Sequence, residues 1–145
     1  RGQMDTGALA VNTNTPEDDY AIAPDLERLI CEACGQEEAG SFFFSCSEGG
    51  TYAPSEANCE AIRRGLFAAV ISEDRVSTII PSVYRTSGYI LGPRGALAYS
   101  ALQDYRAKSG ESRLAILLED RSPVLDGKYV AQAMGVTEQE LKQKI

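Results

Sequence analysis

Four glycines punctuate this chain and limit what it can fold into. Gly35, Gly65, Gly88 and Gly110 each follow a run whose apolar residues recur three and four positions apart. A glycine there supplies the left-handed or extended backbone that ends a helix without a steric penalty. The chain is therefore a succession of short amphipathic helices. Pro24-Asp25 opens "PDLERLICEACG", in which Leu26, Leu29, Ile30 and Ala33 share one face. Ser55 caps a helix to about Arg64, with Asn58 where a capping box would carry Glu. Ser72 caps "EDRVSTIIPSVYRTSG", whose Glu73 and Asp74 suit the positive end of the helix dipole. Pro81 lacks a backbone N–H, which predicts a kink or a restart near Ile80. In "GYILGPRGALAYSAL", Gly92 stands at the N-cap and Pro93 at the first helical position. Ala96, Leu97, Ala101, Leu102 and Tyr105 then form an apolar face running towards Gly110.

The remaining segments carry weaker patterns. Residues 1–24 are polar and turn-rich and read as a surface loop. "QEEAG" reads as a solvated link, and "SFFFSC" at 41–46 as a strand or a buried turn, since three consecutive Phe have no period. "LFAAVIS" reads as extended, and "RLAILLE" at 113–119 has the length of a buried strand. "SPVLDGKYVAQAMG" and "TEQELKQKI" close the chain as helices, the second with a Thr137–Glu140 capping box. The expected class is α/β, a mostly helical fragment with a short sheet, spanning 1–145 as a single region.

Composition removes several function classes. The 145 residues hold 14 Lys+Arg against 21 Asp+Glu, a net charge of −7, with the basic residues scattered, which argues against nucleic acid as a partner. There is no histidine, so the commonest general base and metal ligand are both missing. The longest apolar run, "LFAAVI", is too short to span a bilayer, and no basic-then-apolar leader opens the chain. The expectation is a soluble, cytoplasmic protein. The opening "RGQMD" carries no initiator Met, and the chain is expected to be a piece of something longer.

Each chemical motif has a structural counterpart reading. Cys31 and Cys34 are two residues apart, but Cys46 and Cys59 do not form the second pair that zinc favours. Free thiols packed as small hydrophobes are expected. "SEGGTY" at 47–52 offers backbone amides to a phosphate, yet Glu48 would repel it, which favours a tight turn. Lys128 follows a glycine, and its polar neighbours point to a solvated amine, not a Schiff-base lysine. The adjacent Glu17, Asp18 and Asp19 lack the spaced ligands of a calcium loop. Arg94, at a helix start, leaves an anion contact open.

The order of the segments says more than any one of them. "VNTNTPEDDYAIAPDLERLICEACG", "VYRTSGYILGPRGALAYSAL" and "RLAILLEDRSPVLDGKYVAQAMG" resemble, in sequence order, three stretches of threonine synthase. These are S-P-[AS]-M-D-I with P-S-N-[FL]-E-R-L, then [VY]-x-x-T-G-Y-x-x-D-P-H-[TS]-A-x-A-Y, then V-x-L-S-T-A-H-P-A-K-F. The resemblance implies the C-terminal part of a pyridoxal-phosphate enzyme of the tryptophan synthase β-like fold, which turns O-phosphohomoserine and water into threonine and phosphate. The family's Schiff-base lysine and glycine-rich phosphate loop lie upstream of these stretches, so substrate and cofactor would be held mainly by a part outside this chain. No cofactor is expected on the chain alone, and self-association of the fragment is an open expectation. The family's Asp-Pro-His-Thr stands here as Gly92-Pro93-Arg94-Gly95, and its Ser-Thr-Ala-His-Pro as Glu119-Asp120-Arg121-Ser122-Pro123. The resemblance places Asp120 where the family has a Thr near the pyridine nitrogen; a carboxylate there would keep that nitrogen protonated. The alternative is a non-catalytic binding or interaction module derived from the family.

Overall fold

A computed structural model describes residues 4–5, 12–13, 15–16, 19, 25–119 and 121–145. The expected surface loop at 1–24 and the acidic pair Glu17 and Asp18 therefore lie largely or wholly outside the described residues. The chain forms two compact units, one ending at Phe67 and the other running from Ala68 to Ile145.

The first unit contains β1 (Met4–Asp5), α1 (Leu26–Cys34), α2 (Gln36–Ser47), β2 (Thr51–Tyr52) and α3 (Glu56–Arg64). The two strands pair antiparallel, Met4 opposite Tyr52 and Asp5 opposite Thr51. Ser55 caps α3 by accepting the Asn58 N–H at 3.2 Å. Its core is Ile30, Phe42 and Tyr52, with Leu26, Cys34, Ala39, Cys46 and Ile62 packed around them. Two expectations are corrected here. "QEEAG" is the first turn of α2, where Glu37 and Glu38 sit at the positive end of the dipole. "SFFFSC" continues that helix. Successive helical residues are ~100° apart, so Phe42 is buried while Phe43 and Phe44 stay 68% and 67% exposed. Packing one ring into the core outweighs the β-preference of three aromatic residues.

Phe42 meets Tyr52 edge to face, with centroids 5.1 Å apart and planes at 82°. The Tyr52 hydroxyl donates to Glu38 Oε1 at 2.6 Å. Burial first, and then this bond to a carboxylate, hold the phenol proton well above its usual range. A folded-state pKa raised above the unfolded value gives stability that is complete below the unfolded pKa of about 10 and is lost as pH rises through it. The first unit should therefore weaken above about pH 10. Melting curves across that range check this, with Tyr52→Phe expected to flatten the alkaline slope; an unchanged slope in that variant counts against it.

The second unit contains α4 (Glu73–Ser87), α5 (Pro93–Ser109), α6 (Gly127–Met134) and α7 (Glu138–Lys144). Ser72 caps α4 by accepting the Arg75 N–H at 3.3 Å, and Gly88 ends it in the left-handed region at φ 74°. No restart occurs at Pro81: α4 is one continuous helix with the proline inside. Thr137 and Glu140 form the expected capping box on α7. Val76 and Ile80 of α4, Ala96 of α5, Val130 and Ala131 of α6 and Leu141 of α7 close on Ile90 and Leu91 to form the core. Arg75 braces α4 to α5 through Asp104 Oδ1 at 2.8 Å and the Ser100 carbonyl at 3.1 Å.

The run at 113–119 is not a buried strand. It lies outside any helix or ladder among the described residues, and Leu114, Ile116 and Leu118 are 96%, 83% and 86% exposed. The local pattern has strand character, but among the described residues the run joins no sheet ladder; its Arg113 carbonyl accepts from the Arg106 guanidinium at 2.8 Å. No helix among the described residues is long and apolar enough to cross a membrane.

Candidate functional site

Polar groups of the second unit converge at the start of α5. Ile90, Leu91, Gly92 and Pro93 are buried, so the chain enters this helix through the core. Gly92 is an extended N-cap, and with no side chain it provides no capping oxygen. Glu119 provides the charge. The Gly92 N–H donates to Glu119 Oε1 at 2.5 Å, and the Tyr89 hydroxyl donates to Oε2 at 2.9 Å. The carboxylate thus lies where the helix dipole is positive. Its hydrogen bond first, and then its charge, hold the Tyr89 phenol above its usual range.

Around this pair, Arg121 Nε lies 3.4 Å from Asp126 Oδ2, both side chains about four-fifths buried. Asp126 is the N-cap of α6, yet its side chain makes no capping bond and faces the arginine instead. A shallow cleft of about 170 Å³ opens beside Tyr89, lined by Gly88, Ile90, Pro123, Lys144 and Ile145. Ligand pockets for a cofactor-sized molecule run to ~300 Å³ or more, so this cleft takes only something smaller.

The other residues singled out in the sequence fall elsewhere. Arg94 is half-buried in the first turn of α5, beside a helix start already served by Glu119. Asp120 lies outside the described residues. Lys128 is exposed in the first turn of α6, and Lys108, Lys142 and Lys144 are exposed on α5 and α7. In "SEGGTY", Gly49 N–H bonds to the Cys46 carbonyl and Gly50 N–H to that of Ser45, at 3.2 and 2.9 Å. Those amides close the end of α2 and are not available to a phosphate. The four cysteines form no disulfide and are half-buried, and burial raises the Cys34 and Cys46 thiols. What residue-by-residue reading missed is Glu119 with Tyr89. The available signal was a side-chain-free N-cap, Gly92, followed by a second glycine, Gly95, in the same first turn.

A pyridoxal-phosphate site needs a desolvated lysine and a cradle for the phosphate. All four lysines are exposed and the glycine turn is spent on a helix end, so the described residues do not hold such a cofactor by themselves. They fit at most one edge of a larger site.

The fold nevertheless defines a class: a mostly helical, partial α/β fold similar to part of a pyridoxal-phosphate-binding enzyme. The particular likeness is to the crystal structure of PLP-bound threonine synthase from Brucella melitensis, with a TM-score of 0.75 and 26% sequence identity over 93% of this chain. The chain spans 29% of the length of that enzyme. No protein-family model matches the sequence, and no curated protein matches it.

Proposed function

We propose that this chain is the C-terminal portion of a threonine-synthase-like enzyme, whose whole converts O-phosphohomoserine and water into threonine and phosphate. The observation that carries the reading is the fold likeness across 93% of the chain. The exposed apolar side chains of the run at 113–118 support it, although Leu117 packs against the core. Leu114, Ile116 and Leu118 alternate along one extended apolar segment, and water-exposed apolar surface of that kind favours a covering partner. In this reading the reactive lysine and the phosphate-holding loop belong to polypeptide outside this chain, and the small-molecule substrate is bound mainly there. This chain completes the fold and supplies Asp120, whose carboxylate would hold a proton on the cofactor's ring nitrogen. Neither nucleic acid nor a membrane is a partner.

A non-catalytic interaction module is the second reading, favoured by one observation. The segments resembling D-P-H-T and S-T-A-H-P both depart from those motifs, and the backbone N–H of Gly92 in the first donates to Glu119 in the second.

The test mixes the purified chain with pyridoxal phosphate and O-phosphohomoserine, recording the visible spectrum and phosphate release. The chain alone is expected to give neither a stoichiometric lysine-bound absorption band nor phosphate. The longer gene product, carrying an upstream lysine motif, is expected to give both and to lose activity on Asp120→Ala. A band that disappears in Lys128→Ala, or a native reading frame beginning near Arg1, overturns the reading. A longer product that neither binds the cofactor nor releases phosphate favours the module.

A further inference from the structure

We propose that Glu119 is a positioning residue: its carboxylate is the built-in anion of the α5 N-terminus, and from there it ties the connection leading to α6 onto that helix. Three observations carry this.

Both carboxylate oxygens are engaged, Oε1 by the Gly92 N–H at 2.5 Å and Oε2 by the Tyr89 hydroxyl at 2.9 Å. The first turn of α5 is also hollowed out to admit the group. A Cβ on Gly95 would lie 2.6 Å from Glu119 Oε1 and 2.9 Å from its carboxyl carbon, and one on Gly92 would lie 3.0 Å from Oε1. Glycine inside a helix is unfavourable relative to alanine, so Gly95 costs helix stability that the seated carboxylate offsets. Finally, the connection crosses the helix start again after Glu119. Pro123 Cα and Asp126 Oδ2 come within 3.7 and 3.9 Å of that same point on Gly92. Where the resembled motifs carry Asp at the helix start and Ser in the later segment, this chain carries Gly92 and Glu119. The negative charge is kept at the helix start but arrives from the connection, which is thereby fastened.

The tie itself is independent of the proposed activity.

Chemical rescue tests it on the purified chain. Glu119→Ala should lower Tm by on the order of 5 °C, as expected when about 1 kcal/mol is lost from a unit of this size. Formate should return much of that loss saturably, and chloride at equal ionic strength should not. Wild type should show no such gain. Gly95→Ala should lower Tm in the wild-type background by clearly more than in Glu119→Ala, where of the close approaches only that of Leu91 Cδ2 at 3.0 Å remains and alanine is the better helix former. A wild-type Tm in Glu119→Ala, equal formate effects on both proteins, or an equal Gly95→Ala effect in both backgrounds overturns the proposal. Should Glu119→Ala fail to fold, Glu119→Gln reads the same contact. The Gly92 amide proton should move upfield as the charged acceptor is lost, and an unmoved resonance overturns it. None of these readouts involves the cofactor, so failure of the tie and failure of the enzyme reading are distinguishable.

Discussion

Alanine at position 80 is expected to destabilise the Ala68–Ile145 unit by about 2–5 kcal/mol, the cost of removing a large aliphatic side chain from a closed core. Ile80 is 0% exposed and sits among Val76, Ile90, Leu91, Ala96 and Val130. Helices α4, α5 and α6 and the α4–α5 connection contribute to this cluster, so the surroundings cannot collapse into the space without moving a helix. Urea denaturation should show a lower midpoint with an unchanged slope. Leu125→Ala is the matched control: that side chain is 67% exposed, and its loss should change stability by no more than about 0.5 kcal/mol. An Ile80→Ala effect as small as the control's would place the core elsewhere.

The adjacent position should respond in the opposite direction. Pro81 lies inside the continuous helix α4, Glu73–Ser87, and is half-buried. It offers no N–H to the carbonyl one turn back, that of Ser77. Alanine would supply the bond and relieve the ring's clash with that carbonyl. Against this stands the greater freedom that alanine gives the unfolded chain, worth about 0.4–1 kcal/mol. Since proline in a helix interior is about 3 kcal/mol less favourable than alanine, Pro81→Ala should be net stabilising by roughly 2–2.6 kcal/mol. Thermal melts check the sign, and a strong loss of stability would mean that proline fixes a turn that the helix needs.

The helices of the second unit were legible because their ends are local events. Ser72 and Thr137 reach N–H groups three residues on, and Gly88 and Gly110 take the left-handed conformation on their own account. A window of four or five residues contains all the chemistry involved. The likeness to threonine synthase was legible for a related reason. It rests on the order of three segments, and order survives where single residues have changed.

"SFFFSC" was not legible because a strand and a helix bury such a run equally well locally; what decides is whether one ring or two find a core. Only the packing of Phe42 on Tyr52 settles that. The same holds for "RLAILLE", whose pattern has strand character while its environment among the described residues leaves Leu114, Ile116 and Leu118 exposed.

At the start of α5 the division is clearest. By itself the sequence determined that a helix begins at Gly92-Pro93, that its N-terminus would attract negative charge, and that Arg94 stands beside it. Which anion takes that place was decided only by the tertiary structure. It is Glu119, 27 residues away from Gly92, brought there by the path of the chain between α5 and α6. No periodicity or capping rule reaches across that distance, because the contact depends on how the core closes beneath Ile90 and Leu91 and not on the residues at either end.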